Sequence, residues 1–209
     1  VVRWLIASCV LVHLLMAVLP NDLFYVVIER FTFISARYTM VNAWSLDPFA
    51  FIVAPFTYMY LHGGFTHLIM NMAMLLAFGT AIARLMDAPS FIVFYTICGI
   101  FGAIFWLLIH PDSTDPLLGA SGAISGMLGA VGRISMGRPD SHQMPFRNRN
   151  TALLFVAIWL IFNFVFGIIG GALFDLGGEI AWEAHLGGFV AGFASAPFFC
   201  QPTRTDSPY

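Results

Sequence analysis

Apolar residues run through this chain in long blocks, neither alternating with polar ones nor confined to one helical stripe. Six blocks reach or approach bilayer length: residues 4–19, 65–86, 89–109, 119–135, 151–173 and 182–200. A helix needs ~20 consecutive, mainly apolar residues to cross a bilayer, so the pattern predicts six spanning helices. A seventh run, Pro48 to Leu61, is uncharged but only 14 residues long and contains Pro48 and Pro55. Runs of that length more often re-enter the bilayer or lie at its surface. Residues 20–63 are therefore read as one long, partly embedded loop. Its Phe24, Tyr25, Phe31, Phe33, Tyr38 and Trp44 suit an interfacial aromatic belt.

Charge placement supports six spans over seven. Arg3, Arg84, Arg133, Arg138, Arg147, Arg149 and Arg204 fall on one side. The opposite side carries Asp112 and Asp115 in one loop, and Asp175, Glu179 and Glu183 in another, with no Arg in either. Only the long loop is mixed, through Arg30 and Arg37. By the positive-inside rule both termini are cytoplasmic, and a seventh span would scramble the separation. The expected fold is an all-α polytopic membrane protein. Residues 1–200 form a single six-helix domain, and 201–209 a short cytoplasmic tail.

Composition adds mainly exclusions. Hydrophobic residues make up 59% of the 209-residue chain and charged ones 10%, with a mean hydropathy of +0.85. Soluble domains carry roughly 25% charged residues. The net charge of −2 leaves no basic footprint for nucleic acid. Cys9, Cys98 and Cys200 lie in or at the end of apolar runs and suggest packing, not a disulfide framework.

Against this background the polar residues inside the blocks stand out, because such residues are costly in a bilayer and mark functional sites by default. With the termini inside, His62, His67 and Asn71 enter the second span from the outside. Ser121 opens the fourth span and His185 the sixth from the same side. Ser121 precedes Arg133, at the inner end of its span, by 12 residues, or ~18 Å of helix. In a ~30 Å hydrocarbon core that places Ser121 roughly 10 Å below the outer surface. A helix starting at that depth leaves backbone N–H groups unpaired, which is tolerable only beside a water-filled cavity. Gly122, Gly126 and Ala130, with Gly188 and Gly192, form small-residue faces that let membrane helices approach closely.

A serine and a histidine are the minimum for an activated hydroxyl nucleophile. His67 and Asn71, four apart on one helix face, can join the Ser121 backbone N–H as oxyanion donors. These residues stand in three ordered motifs: His62-Gly-Gly-Phe-Thr-His67-Leu-Ile-Met-Asn71, Gly119-Ala-Ser121-Gly122, and Ala184-His185-Leu-Gly187-Gly188 with Gly192. Together they resemble the rhomboid family of intramembrane serine proteases. The resemblance runs from about Pro55 to Gly192 and implies a rhomboid-like bundle. It implies that Ser121 is the nucleophile and His185 its general base, acting as a dyad. Asn71, His67 and Gly119 would then form the oxyanion and support set, with His62 bracing the loop. Substrates would be membrane-spanning helices of other proteins, cut near the outer face of a bacterial-type cell membrane. No cofactor or metal is called for. His62 and His67 also lack the His-Glu-x-x-His arrangement of a metalloprotease.

Glu183 lies two residues from His185, does not share its helix face, and is read as a solvated loop charge, so no triad is expected. Two positions depart from the family pattern. A Trp-Arg pair common in the first loop is replaced by Val53 and Ala54, and the aromatic residue four after the nucleophile is replaced by Ser125. A hydrogen bond from Ser125 is one substitute for that support of His185. Asn163 is read as pairing with a neighbouring helix. Gly170, Gly171, Gly177 and Gly178 suggest that the fifth span and the loop above it move aside to admit a substrate. The alternatives are a protein of the same fold that binds transmembrane helices without cutting them, and a solute transporter. An inactive relative would be expected to lose Ser or His, and a transporter to carry polar groups in both membrane halves.

Overall fold

Each of the six apolar blocks forms a helix in the computed structural model, which describes residues 1–137, 149–174 and 181–200. In chain order the helices are α1 (Val2–Ala17), α2 (Asn21–Phe31), α3 (Pro48–Thr57), α4 (Phe65–Ile82), α5 (Ala88–Ile109), α6 (Ser121–Gly137), α7 (Arg149–Phe174) and α8 (Trp182–Phe199). Two single helical turns, Ala36–Thr39 and Ala43–Leu46, separate α2 from α3. Residues 65–82, 88–109 and 149–168 are long and apolar enough to cross a membrane. Arg138, Arg147, Asp175, Gly177, Gly178, Glu179 and the tail from Gln201, all used in the sequence reading, lie outside the described residues.

The segment expected to be one long loop is largely helical, because its helix ends and its prolines are satisfied by groups elsewhere in the segment. The Asp47 carboxylate accepts from Ala50 N at 3.0 Å and caps α3, with Pro48 in the first turn. That bond, aided by Arg30 at 2.9 Å, holds the Asp47 carboxyl below its ordinary range. Pro55 has no N–H for the carbonyl of Phe51 four residues back. The Tyr38 hydroxyl donates to that carbonyl instead, at 2.9 Å. Arg37 is also used inside the loop, donating to the carbonyls of Thr32 and Glu29. The two arginines that break the charge pattern thus have local structural work.

The loop is laced to the segment leading into α6. Phe33 N donates to Leu117 O at 3.0 Å and Leu117 N to Phe33 O at 2.8 Å. Ala36 N donates to Ser113 O at 3.0 Å, and Thr39 Oγ1 to Pro111 O at 2.9 Å.

The core is where α5, α6 and α8 meet backbone to backbone. A Cβ on Gly126 would strike Cys98, one on Gly192 would strike the carbonyl of Gly126, and one on Gly102 would lie 2.8 Å from the carbonyl of Ala184. Glycine is required there by the approach, and the approach brings the first turns of α6 and α8 together. By contrast α7 exposes Ile158, Ile161, Phe162, Phe164 and Ile168. It meets its neighbours at a few points, among them Phe78 against Phe155 and Trp159 stacked on Phe189 at 4.5 Å.

Candidate active site

Ser121 is the first residue of α6, and the Ala120 carbonyl accepts the first helical hydrogen bond, from Ile124 N at 3.0 Å. The N–H groups that precede Ile124 in the turn, those of Ser121, Gly122 and Ala123, have no partner within the helix. The turn is set from below by Gly119, whose N–H donates to Tyr58 O at 3.0 Å and whose φ is +117°. A side chain there would be strained, and its Cβ would lie 2.8 Å from His67 Nε2. Tyr58 is fully buried, with its hydroxyl donating to Gly99 O at 2.7 Å. One buried tyrosine therefore couples the first loop, α5 and the Gly119 turn. Nothing in the sequence motifs marks it.

His185 lies one turn into α8, and its Nε2 is 2.7 Å from Ser121 Oγ. On the ring's other side, Nδ1 is 2.7 Å from Asn163 Oδ1 of α7. Both ring nitrogens are occupied. The hydrogen bond suggested for Ser125 has no ring atom left to join, although Ser125 is buried.

Asn163 was missed as a site residue. It did pair with a neighbouring helix, but the partner is the candidate base. The one signal available was a lone amide in an otherwise apolar span, a default functional suspect.

The other candidates surround this pair. His67 Nδ1 accepts from Gly63 N at 3.3 Å, which directs Nε2 toward the Gly119 turn. Asn71 is buried and donates one amide hydrogen to His67 O at 2.9 Å. Its second hydrogen remains for another acceptor. His62 Nδ1 donates to Tyr60 O at 3.3 Å, and its ring meets His67 edge-on at 5.2 Å. Among the described residues no group of His, Cys, Asp and Glu is arranged to hold a metal ion.

Glu183 differs from the sequence expectation. It is buried, 6% exposed, and its Oε1 lies 3.0 Å from His110 Nε2 at the end of α5. Glu183 does not join His185, and its partner lies 73 positions away in the chain, beyond the reach of helix spacing. Burial without such a partner would be expensive for a carboxylate.

Chemically, a hydroxyl hydrogen-bonded to a neutral imidazole, beside free N–H groups at a helix start, can attack a carbonyl and hold the resulting oxyanion. A family model described as Rhomboid domain matches residues 52–202. RHOMBOID-like protein 5 of Arabidopsis thaliana is 29% identical over 134 residues, which is 64% of this chain and 40% of that protein. Rhomboid protease GluP of Bacillus subtilis (strain 168) is 32% identical over 136 residues, 65% of this chain and 24% of that protein. Putative rhomboid protease YdcA of the same organism is 29% identical over 144 residues, 67% of this chain and 63% of that protein. The chain thus covers about a quarter to two fifths of the length of the first two relatives.

Proposed function

Because the chain belongs to the rhomboid family of multi-pass membrane proteins, we propose that it is an intramembrane serine endopeptidase using Ser121 and His185. The observation that carries this reading is the 2.7 Å contact between His185 Nε2 and Ser121 Oγ, between two helices packed through glycines. Ser121 Oγ attacks the scissile carbonyl carbon as its proton passes to Nε2. The carbonyl electrons move onto oxygen, and the N–H groups at the start of α6 and the amide of Asn71 donate hydrogen bonds to the resulting oxyanion. Collapse breaks the C–N bond, and the departing amine takes the proton from Nε2. Water, activated by the same imidazole, then releases the acyl group from Oγ.

In this reading α1, α4, α5, α6, α7 and α8 are the six spans, with both termini in the cytoplasm and the site opening toward the outer face of a bacterial-type cell membrane. Arg133 fits an inner-surface position, being exposed, with its guanidinium 5.8 Å over the Phe193 ring. The substrate is a transmembrane helix of another protein, admitted sideways past α7. Such a helix must unwind locally, since its own turns shield each peptide bond, so a helix-breaking Gly or Pro near the cut favours cleavage. The test is cleavage of a single-span substrate by the purified, reconstituted protein. Ser121→Ala and His185→Ala each abolish it, because groups acting as a unit fail together. Cleavage by purified Ser121→Ala protein overturns the assignment.

A further inference from the structure

The amide of Asn163 has two different neighbours, and their chemistry dictates its orientation. Its Nδ2 lies 3.1 Å from the carbonyl oxygen of Trp182, on the first residue of α8. A backbone carbonyl only accepts hydrogen bonds, so the NH₂ end of the amide must face it. Oδ1 is thereby turned to His185 Nδ1 at 2.7 Å, and it too only accepts. Nδ1 must then carry the imidazole proton. In the neutral ring that leaves Nε2 with its lone pair, facing Ser121 Oγ at 2.7 Å. A single chain of donors and acceptors runs from the Trp182 carbonyl through Asn163 and His185 to the nucleophile. It admits one tautomer of the histidine, the one able to take a proton from serine.

We propose that Asn163 is the positioning residue of this site, a neutral third member that fixes the tautomer and ring plane of His185. The proposal rests on the serine-protease reading above and adds to it. The usual ring support four residues after the nucleophile is absent here, since Ser125 occupies that place, and Asn163 supplies orientation from another helix. A neutral amide suits the position. Asn163 is 7% exposed, and a carboxylate there would face the Trp182 carbonyl with a second acceptor and bury a charge beside a neutral ring.

The location has a consequence. Asn163 belongs to α7, which leaves Ile158, Ile161, Phe162, Phe164 and Ile168 exposed, whereas Trp182 and His185 belong to α8. The base is therefore oriented only while α7 is seated against α8. Seating also depends on Phe164, edge-on to Trp182 at 5.3 Å, and on Gly167, where a Cβ would fall 2.5 Å from the Trp182 side chain. If α7 moves aside to admit a substrate, the base is disarmed until α7 returns.

The experiment compares wild type, Asn163→Leu and Asn163→Asp in the reconstituted protein. Two readouts are cleavage kinetics and the ¹⁵N spectrum of the histidine ring, with His185 assigned by its loss in His185→Gln. Wild type shows His185 protonated at Nδ1. Asn163→Leu, with the same branched shape but unable to accept, lowers kcat on the order of 10–100-fold, part of the ~10²–10⁴ supplied by general-base catalysis. Its KM changes less than twofold, and its ring signals shift toward a mixture of tautomers. Asn163→Asp, which restores an acceptor, recovers part of kcat. A wild-type His185 protonated at Nε2 overturns the proposal with no substitution involved. So does an Asn163→Leu protein with normal kcat, or one altered only in KM. Cleavage by Ser121→Ala in the same assay would sink the protease reading instead, and the tautomer can be read without any cleavage.

Discussion

Gly188 of α8 lies so close to the carbonyl oxygen of Gly122 on α6 that a methyl group at Gly188 would overlap it. The contact is backbone on backbone, so no side chain can rotate away to relieve it. Ser121 precedes Gly122 directly, and His185 sits one turn before Gly188. The helix separation at this point therefore sets the distance between the candidate nucleophile and base.

Gly188→Ala must push α8 off α6. Overpacking of this kind costs about 1–3 kcal/mol, and a displacement near 1 Å at a reacting pair can cost ~10²-fold in rate. We expect a lower unfolding temperature in detergent and a cleavage rate reduced by about two orders of magnitude. Unchanged rate and stability would show that the helices have slack at this point.

Glu183 is expected to act on stability and not on chemistry. It pairs with His110, and both nitrogens of His185 are already occupied. Glu183→Gln keeps an oxygen for His110 and retains kcat/KM within a few-fold. Glu183→Ala removes the partner and lowers the unfolding temperature. Loss of a triad acid would cost ~10⁴ in kcat, so a loss of that size in Glu183→Gln, measured below its unfolding temperature, would contradict this account.

The helices were legible because a bilayer-length apolar run leaves few alternatives, and all six predicted blocks became helices with boundaries shifted by a few residues. The candidate pair Ser121 and His185 was legible because each stands near small residues at the start of an apolar run. Two kinds of information were absent from local pattern. The helical content of residues 20–63 depends on long-range satisfaction, such as the Tyr38 hydroxyl reaching the carbonyl freed by Pro55. The partners of Asn163 and Glu183 depend on which helices are neighbours, and neither spacing nor hydropathy encodes that. Tyr58 escaped notice for the same reason, since a tyrosine in an apolar loop reads as an interfacial anchor until its two contacts are seen.

Asn71→Ala tests the oxyanion role. One amide hydrogen is held by His67 O, which fixes the side chain, and the other is free for a developing charge. Loss of one such donor typically costs ~10²–10³-fold in kcat, with KM little changed. An unchanged kcat in a destabilised protein would assign Asn71 to helix packing alone.

Lateral admission is tested by holding α7 in place. The rings of Phe78 on α4 and Phe155 on α7 have centroids 6.2 Å apart, so cysteines at both positions can be joined by a short thiol cross-linker. We expect the joined protein to stop cutting a full transmembrane substrate while Ser121 still reacts with a small fluorophosphonate, since a seated α7 keeps Asn163 on His185. Normal cleavage after cross-linking would place the route elsewhere.

The most direct measurement of the central claim needs no knowledge of the natural substrate. A fluorophosphonate probe reports whether a serine is activated by its surroundings, because an ordinary hydroxyl does not displace the fluoride. Applied to the protein in membranes, the probe should label wild type once per chain, at Ser121, and should label neither Ser121→Ala nor His185→Ala. Labelling that persists in Ser121→Ala, or a folded wild-type protein that takes up no probe, would contradict the account.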